Sequence, residues 1–260
     1  MRRQAVLAAL AVLLAVCAGW NAVSLAKTEG TVDPDKMLTQ QSAYPSWTGK
    51  KWTAVGDSHT EINFRAKKNY VTYIQEYTGI KVVNLGKSGM GWKRRGGFYQ
   101  RIWNIPPDSD VITIYGSFND LDGGYEIGTK TDTGLKTIGG CINKALDDLY
   151  ARIPNANVGV ITPCPWEQYT PLAGLVPNAG RPEDQSERAI AYCRLICDIC
   201  EMRGIPCLDL FHCSGLEPWK EEVRKTLYTR DGGAGCHPDE NGHLLIAPRF
   251  LEFLETLLAD

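Results

Sequence analysis

Residues 51–60 read KWTAVGDSHT and join a short apolar run to an abrupt polar turn. The run from Lys51 to Val55 predicts a β-strand, and Gly56-Asp57-Ser58 predicts the turn that ends it. Four more runs of similar length follow, over residues 80–85, 110–115, 157–162 and 205–210. All five runs are apolar throughout rather than alternating, which is typical of strands that are covered on both faces.

Segments with helical spacing separate these runs, over residues 70–77, 135–153, 183–204 and 241–258. Short strands that alternate with helices predict a parallel sheet with helices on both faces. The expected fold class is therefore α/β, a three-layer α/β/α sandwich around a five-stranded, mainly parallel sheet. Because ligands of such sheets bind at the carboxyl ends of the strands, the functional residues are expected just after each strand.

The N-terminal residues have the composition of a targeting segment. Arg2 and Arg3 precede an apolar stretch, and Ser24-Leu25-Ala26 places small residues before a plausible cleavage site. Residues 1–26 are therefore expected to be a signal peptide, with an uncleaved membrane anchor as the alternative because the apolar stretch continues to Val23. Residues 27–50 are polar and predict an arm or linker, which leaves residues 51–260 as one domain located outside the cell or at its surface.

The composition is that of a soluble globular protein and excludes a general affinity for nucleic acid. Hydrophobic residues make up 43%, charged residues 22%, and the net charge is −2. The basic run Lys93-Arg94-Arg95 is interpreted as a solvated loop rather than a polyanion site. A membrane is expected as a partner only through the possible N-terminal anchor, and the oligomeric state stays open.

The chain has nine cysteines, and eight remain once Cys17 of the targeting segment is set aside. An even number in an exported chain makes disulfides plausible, and a Cys213–Cys236 bond would pin the loop before His237. Cys193, Cys197 and Cys200 have the spacing of the radical-SAM iron–sulfur motif. They lie in the helical segment 183–204, which favours core packing or disulfide formation over a cluster, and no metal or organic cofactor is expected.

Four blocks at the predicted strand ends carry the residues suited to catalysis. The first strand runs into Ser58, and the second into a glycine-rich turn that contains Gly89. The third is followed by Gly116-Ser117-Phe118-Asn119-Asp120, which delivers a carboxamide. The last block, before the final helix, contains Asp231 and His237. A serine, a histidine and several amide donors together are typical of acyl transfer.

Taken in chain order, the four blocks resemble the SGNH/GDSL hydrolase family over residues 51 to about 255, and the resemblance implies a flavodoxin-like fold. It also implies that Ser58 is the nucleophile and His237 its base. The implied oxyanion hole consists of the N–H groups of Ser58 and Gly89 and the side-chain amide of Asn119. The family usually places an aspartate three residues before the histidine, where this chain has Ala234. Asp231, six residues before, is the candidate, and a dyad oriented by another group is the alternative.

The expected function is that of an exported serine esterase or acylhydrolase that works through an acyl-serine intermediate. Export favours O-acetyl or other short-acyl esters on carbohydrate. A lipid esterase of the same family and a non-catalytic glycan-binding module on the same fold are the alternatives.

Other residues near the blocks are interpreted as structural. His59 is expected to be a bystander or a substrate contact rather than the base. His243 is expected to be a structural or surface residue of the final helix rather than a catalyst. A group of apolar side chains is assigned to core or lid packing in preference to a substrate pocket: Met90, Trp92, Phe98, Tyr99 and Trp103. Trp166 after the fourth strand fits either role, and no substrate-binding residue is assigned.

Overall fold

A computed structural model of the chain describes residues 46–169, 184–229 and 235–259. The predicted targeting segment, nearly all of the predicted arm and Asp231 lie outside these described residues. The boundaries predicted for the targeting segment, arm and domain therefore stay predictions. In the described part, no helix is long and apolar enough to cross a membrane.

The sheet has five strands, all paired in parallel in the order β2-β1-β3-β4-β5. The strands are β1 (Lys51–Gly56), β2 (Lys81–Gly86), β3 (Val111–Tyr115), β4 (Val158–Ile161) and β5 (Cys207–Leu208). The order reverses at β1, so the crevice between the ends of β1 and β3 is where ligands of such sheets bind. These strands confirm the predicted fold class.

Eight α-helices lie in the described residues: α1 (Tyr70–Thr78), α2 (Phe98–Arg101), α3 (Asn119–Asp122), α4 (Ile138–Arg152), α5 (Asp184–Arg203), α6 (Leu210–Cys213), α7 (Glu221–Leu227) and α8 (Glu240–Leu258). Short 3₁₀ turns cover Ile102–Asn104 and Glu167–Tyr169. Helix α1 packs with α8, and α4 packs with α5. Crossovers between parallel strands are right-handed as a rule, and with the strand order this rule puts the two pairs on opposite faces of the sheet and gives three layers.

Three of the four longer helices begin at a side-chain cap that the described residues include. Asn69, Thr137 and Asp239 accept hydrogen bonds from the first-turn N–H groups of α1, α4 and α8. Helix α1 ends at Gly79, whose φ of 71° is left-handed and suits glycine. The four short helices of four to seven residues were not predicted, because such lengths hold too few turns to show a period.

Strand β5 is shorter than the predicted run over residues 205–210. Only Cys207 and Leu208 pair with β4, because the chain turns into α6 at Leu210. Asp209 at this turn binds the Thr162 hydroxyl and the His212 ring instead of continuing the sheet. The apolar pattern of Leu210 and Phe211 therefore reflects burial in a helix rather than in a strand.

The core is rich in aromatic side chains. Trp92 and Phe98 are fully buried, as expected for core packing, whereas Met90 and Tyr99 are only partly buried. Trp103 is 55% exposed and is therefore not part of the core. It lies in the short 3₁₀ turn before β3, where the side chain faces away from the sheet core.

All eight cysteines of the described residues are free thiols. The Cys213–Cys236 bond considered from the sequence is therefore not formed in the described part of the structure. The Sγ atoms of Cys197 on α5 and Cys207 on β5 lie 3.8 Å apart. Within the same residues, no group of three or more histidine, cysteine or acidic side chains is placed to hold a metal ion.

We predict that Thr113→Val destabilises the sheet. The buried Trp52 indole N–H donates to the Thr113 hydroxyl across β1 and β3, at 2.8 Å, and valine removes the acceptor while keeping the shape. An unsatisfied buried donor costs about 1–3 kcal/mol, which urea unfolding would measure. The same substitution in a Trp52→Phe background serves as the control and should cost less than half as much. Equal costs in both backgrounds would contradict the assignment.

Candidate active site

Ser58 and His237 come together at the carboxyl edge of the sheet. Ser58 follows the end of β1, and His237 lies three residues before α8. The Ser58 Oγ atom is 3.0 Å from the His237 Nε2 atom, although 179 positions separate the two residues in the chain. Main-chain contacts fix the histidine, because its carbonyl accepts from the Thr229 N–H and Pro238 bridges to Tyr228. The distance lets the hydroxyl pass its proton directly to the ring.

A buried carboxylate ties the turn after β1 to the turn after β3. Asp57 Oδ1 accepts from the His59 N–H at 2.9 Å. Asp57 Oδ2 accepts from the Ser117 N–H at 2.7 Å and from the Asn119 amide at 3.1 Å. Burial raises the pKa of Asp57, while the hydrogen bonds from His59 and Ser117 and the charge on His237 act in the opposite direction. Asp57 therefore sets the relative positions of the serine turn and the asparagine turn.

Asn119 holds a loop as well as facing the site. Its amide nitrogen donates to the Met90 carbonyl at 2.9 Å and to Asp57 at 3.1 Å, so both amide hydrogens have acceptors. The main-chain carbonyl of Asn119 accepts two hydrogen bonds from the Arg94 guanidinium, at 2.6 and 2.9 Å. An oxyanion would compete with Asp57 for one amide hydrogen, so the donor role of Asn119 stays a prediction.

The next residue, Asp120, also binds the loop after β2. This fully buried carboxylate accepts from the N–H groups of Trp92 and Lys93, at 2.6 and 3.1 Å. Gly91 allows this approach, because a Cβ atom there would lie 2.5 Å from an Asp120 oxygen. The loop after β2 is thus fixed against the turn after β3.

Gly89 occupies a tight turn in that loop. The Met90 N–H donates to the Lys87 carbonyl at 3.2 Å, and Gly89 has a φ of 75° at the third position, as in a type II turn. The Lys87 N–H donates to the Gly56 carbonyl at 3.0 Å and joins the turn to the end of β1. The structure therefore brings the Gly89 turn to the same edge as Ser58.

An aromatic wall backs His237. The His59 ring lies 5.4 Å from the His237 ring, and the Trp166 ring lies 6.2 Å from it. His59 Nδ1 contacts the Tyr115 hydroxyl at 3.0 Å, and burial lowers the pKa of His59 to about 4. Burial also lowers the pKa of His243, which packs against His59. Both rings are neutral near pH 7 and have the environment of structural residues.

The sequence patterns did not identify the supporting carboxylates. Asp57 and Asp120 belong to the blocks that pointed to the site, and their position next to Ser58 and Asn119 was the available signal. Their role could not be predicted, because their acceptor bonds join segments that are far apart in the chain. Asp231, the predicted acidic partner of His237, lies outside the described residues.

The sheet order and the pairing of a serine with a histidine at its carboxyl edge are typical of hydrolases on an α/β sandwich. Residues 54–245 match the family model described as GDSL-like lipase/acylhydrolase. The match covers well over half of the chain, and the chain belongs to this family, as its sequence motifs predicted. No curated protein matches the chain significantly in sequence.

Solved structures share the fold. A protein from Lactobacillus plantarum has a TM-score of 0.65 and 23% identity, covering 80% of this chain and 98% of that one. A possible lipase from Chitinophaga pinensis has a TM-score of 0.63 and 21% identity, with the same coverage of 80% and 98%. A variant acetyl xylan esterase from Geobacillus stearothermophilus has a TM-score of 0.50 and 21% identity, covering 80% and 95%. At these identities the likeness establishes the fold alone.

The buried histidines predict a loss of stability in mild acid. The pKa of His59 is about 4 in the folded protein, below the 6.5 of an exposed histidine, so the unfolded chain binds this proton first as the pH falls. Stability contributed by the neutral rings is complete above pH 6.5 and declines between pH 6.5 and about 4. The slope is at most about 1.4 kcal/mol per pH unit for each histidine.

Urea unfolding at several pH values would measure this slope in the wild type and in His243→Phe, which keeps a ring against Tyr70. The variant should show the shallower decline. The control is His212→Gln, because the exposed His212 pairs with Asp209 and its pKa is raised. Removing it should not make the decline shallower. Identical slopes in the wild type and His243→Phe would contradict the prediction.

Proposed function

We propose that the chain is an esterase in which Ser58 is the nucleophile and His237 is the general base. The observation that carries this proposal is the 3.0 Å contact between Ser58 Oγ and His237 Nε2 at the switch point of the sheet. A serine hydroxyl is a weak nucleophile until a base removes its proton, and a histidine ring titrates near neutral pH.

The reaction proceeds in two halves. Ser58 Oγ attacks the ester carbonyl while His237 Nε2 takes the hydroxyl proton, and the resulting tetrahedral intermediate collapses as His237 protonates the leaving alcohol. A water molecule then attacks the acyl-serine, with His237 accepting its proton. Collapse of the second intermediate releases the acid and returns the proton to Ser58.

Both tetrahedral intermediates carry an oxyanion that requires fixed donors. We assign the Ser58 and Gly89 N–H groups and the Asn119 amide to this role, with Asn119 exchanging its 3.1 Å bond to Asp57 for a bond to the oxyanion. Preorganised donors of this kind are worth about 3–4 kcal/mol each. Asp231 is the proposed acidic partner that orients His237, because glycines at 232, 233 and 235 allow the longer loop to fold back.

The proposed substrates are O-acetyl or other short-acyl esters of carbohydrate outside the cytoplasm. The basic and apolar N-terminus supports export, and polysaccharides are a major source of acyl esters outside cells. The fold serves such chemistry in the acetyl xylan esterase named above, with which this chain shares architecture alone.

One observation favours lipid or longer acyl esters as a second candidate. Ile62 and Phe64, in the turn that follows the nucleophile, are 58% and 78% exposed. Asn63 between them donates to the Ser58 carbonyl at 2.9 Å, which keeps this apolar pair close to the nucleophile. Exposed apolar side chains next to a catalytic serine are suited to contact an acyl chain.

We expect Ser58→Ala to abolish hydrolysis of p-nitrophenyl acetate and labelling by a fluorophosphonate probe. The substitution removes the only proposed nucleophile, so kcat/KM should fall by at least about a thousandfold. Ser117→Ala is the matched control. This buried serine also lies next to Asp57, and the substitution keeps the main-chain N–H that donates to the Asp57 carboxylate. A folded wild-type protein that neither hydrolyses the ester nor takes the label would favour the non-catalytic glycan-binding module.

We expect acetyl esters to be hydrolysed much faster than octanoyl esters, with Phe64→Ala changing neither rate by more than about twofold. Rates for both esters in the wild type and Phe64→Ala would test this. Trp103→Ala is the control, because Trp103 is an exposed aromatic residue of the turn before β3. A wild-type preference for octanoyl esters that Phe64→Ala selectively removes would instead identify a lipid esterase.

A further inference from the structure

Glu61 joins the turn of the nucleophile to the Gly89 turn. Its Oε2 atom accepts from the Ser88 N–H at 2.9 Å and also from the Ser88 hydroxyl. The main-chain N–H of Glu61 donates to the Asp57 carbonyl at 2.9 Å, within the turn that presents Ser58. One carboxylate therefore spans the two segments that are proposed to supply the nucleophile and an oxyanion donor.

The Glu61–Ser88 contact lies where the end of β2 packs closely against the turn that follows Ser58. A Cβ atom on Gly86 would lie 2.3 Å from the Glu61 N atom, so the two segments pack main chain against main chain. Arg101 donates to the Leu85 carbonyl at 2.5 Å, and its charge interacts with that of Glu61. The main chain of Glu61 is thus fixed by its packing against β2, and its side-chain carboxylate extends to the Gly89 turn.

The orientation of the Gly89 N–H depends on the state of that turn. Ser88 and Gly89 are the two central residues between Lys87 and Met90, and the φ of 75° at Gly89 is the value of a type II turn. Between types I and II the central peptide, which carries the Gly89 N–H, rotates by about 180°. Because glycine adopts both turn types readily, contacts from outside the turn bias it towards one of them.

We propose that Glu61 is a positioning residue that holds the Ser88–Gly89 peptide in the orientation required for oxyanion binding. The inference rests on the proposed function of Ser58 and on the oxyanion role assigned to Gly89. The two hydrogen bonds of Glu61 to Ser88, one to the N–H and one to the hydroxyl, hold the Lys87–Ser88 peptide and the Ser88 side chain, and so fix the residue that presents the Ser88–Gly89 peptide. The role requires an acceptor at this position rather than a charge, so Glu61→Gln retains it and Glu61→Ala does not.

The first measurement reads the turn itself and needs no substrate. Amide hydrogen exchange over residues 86–92 should become at least about tenfold faster in Glu61→Ala, because the Ser88 N–H loses its acceptor. Glu61→Gln should exchange at close to the wild-type rate. Glu76→Ala is the control, because Glu76 is an exposed glutamate of α1 that pairs with Lys68. Unchanged exchange in Glu61→Ala would overturn the proposal whether or not the chain hydrolyses esters.

The second measurement reads the oxyanion hole. In Glu61→Ala we expect kcat for p-nitrophenyl acetate to fall about 10- to 100-fold with KM changed less than twofold, and Glu61→Gln to restore most of the rate. The rate advantage of an ester over its thionoester, whose sulfur fits an oxyanion hole poorly, should shrink in Glu61→Ala. The pH midpoint of kcat/KM should not move, because Ser58 and His237 remain paired.

The outcomes separate this inference from the proposed function. A wild-type protein without esterase activity or serine labelling would overturn the function and, with it, the catalytic part of the inference. An active wild type in which Glu61→Ala speeds exchange but leaves kcat and the thionoester ratio unchanged would overturn the positioning role alone. Faster exchange, a lower kcat, a reduced ratio and rescue by glutamine together would support it.

Discussion

The arrangement of the site depends on the buried carboxylate of Asp57. A carboxylate without water is costly unless several donors surround it, and here donors from the β1 turn and the β3 turn converge on it. The turns after β1 and β3 therefore cannot shift independently without leaving this group unsatisfied. Because β1 and β3 flank the point where the strand order reverses, the same bonds that satisfy Asp57 define the walls of the crevice that holds Ser58.

Other polar side chains around Asp57 likewise join separate segments by hydrogen bonds. Asp120 and Asn119 fasten the loop after β2, and Glu61 fastens the turn within that loop. Each bond joins two segments at the carboxyl edge, so the backbone donors of the site are fixed before any substrate arrives. Such preorganisation is the main source of oxyanion stabilisation, because a donor that must first reorient gives back much of the energy it supplies. The site is therefore a network of short loops that buried or half-buried acids hold in place.

The aromatic and imidazole wall behind His237 has a different effect. His59 and His243 are buried and neutral: His59 packs against Trp166 and the proposed base His237, and His243 packs against His59. A dry wall of this kind restricts the positions of the His237 ring and lowers the local dielectric constant, which strengthens the polar interactions at the serine. In acid these buried rings lower the free energy of unfolding, because they become protonated in the unfolded chain but stay neutral in the folded one.

The sequence alone determined the sheet, the long helices and the four blocks, because periodicity, caps and strand-end motifs such as Gly56-Asp57-Ser58 are local properties of the chain. It also indicated that Ser58 and His237 belong to one site through a family resemblance. Local patterns could not predict the exposure of Trp103, the early end of β5 or the free thiols of Cys213 and Cys236, because each depends on what the fold places beside it. Only the tertiary structure decided which acids support the site. The bonds of Asp57, Asp120 and Glu61 connect separate strand-end segments, and their partners become neighbours only when the sheet assembles.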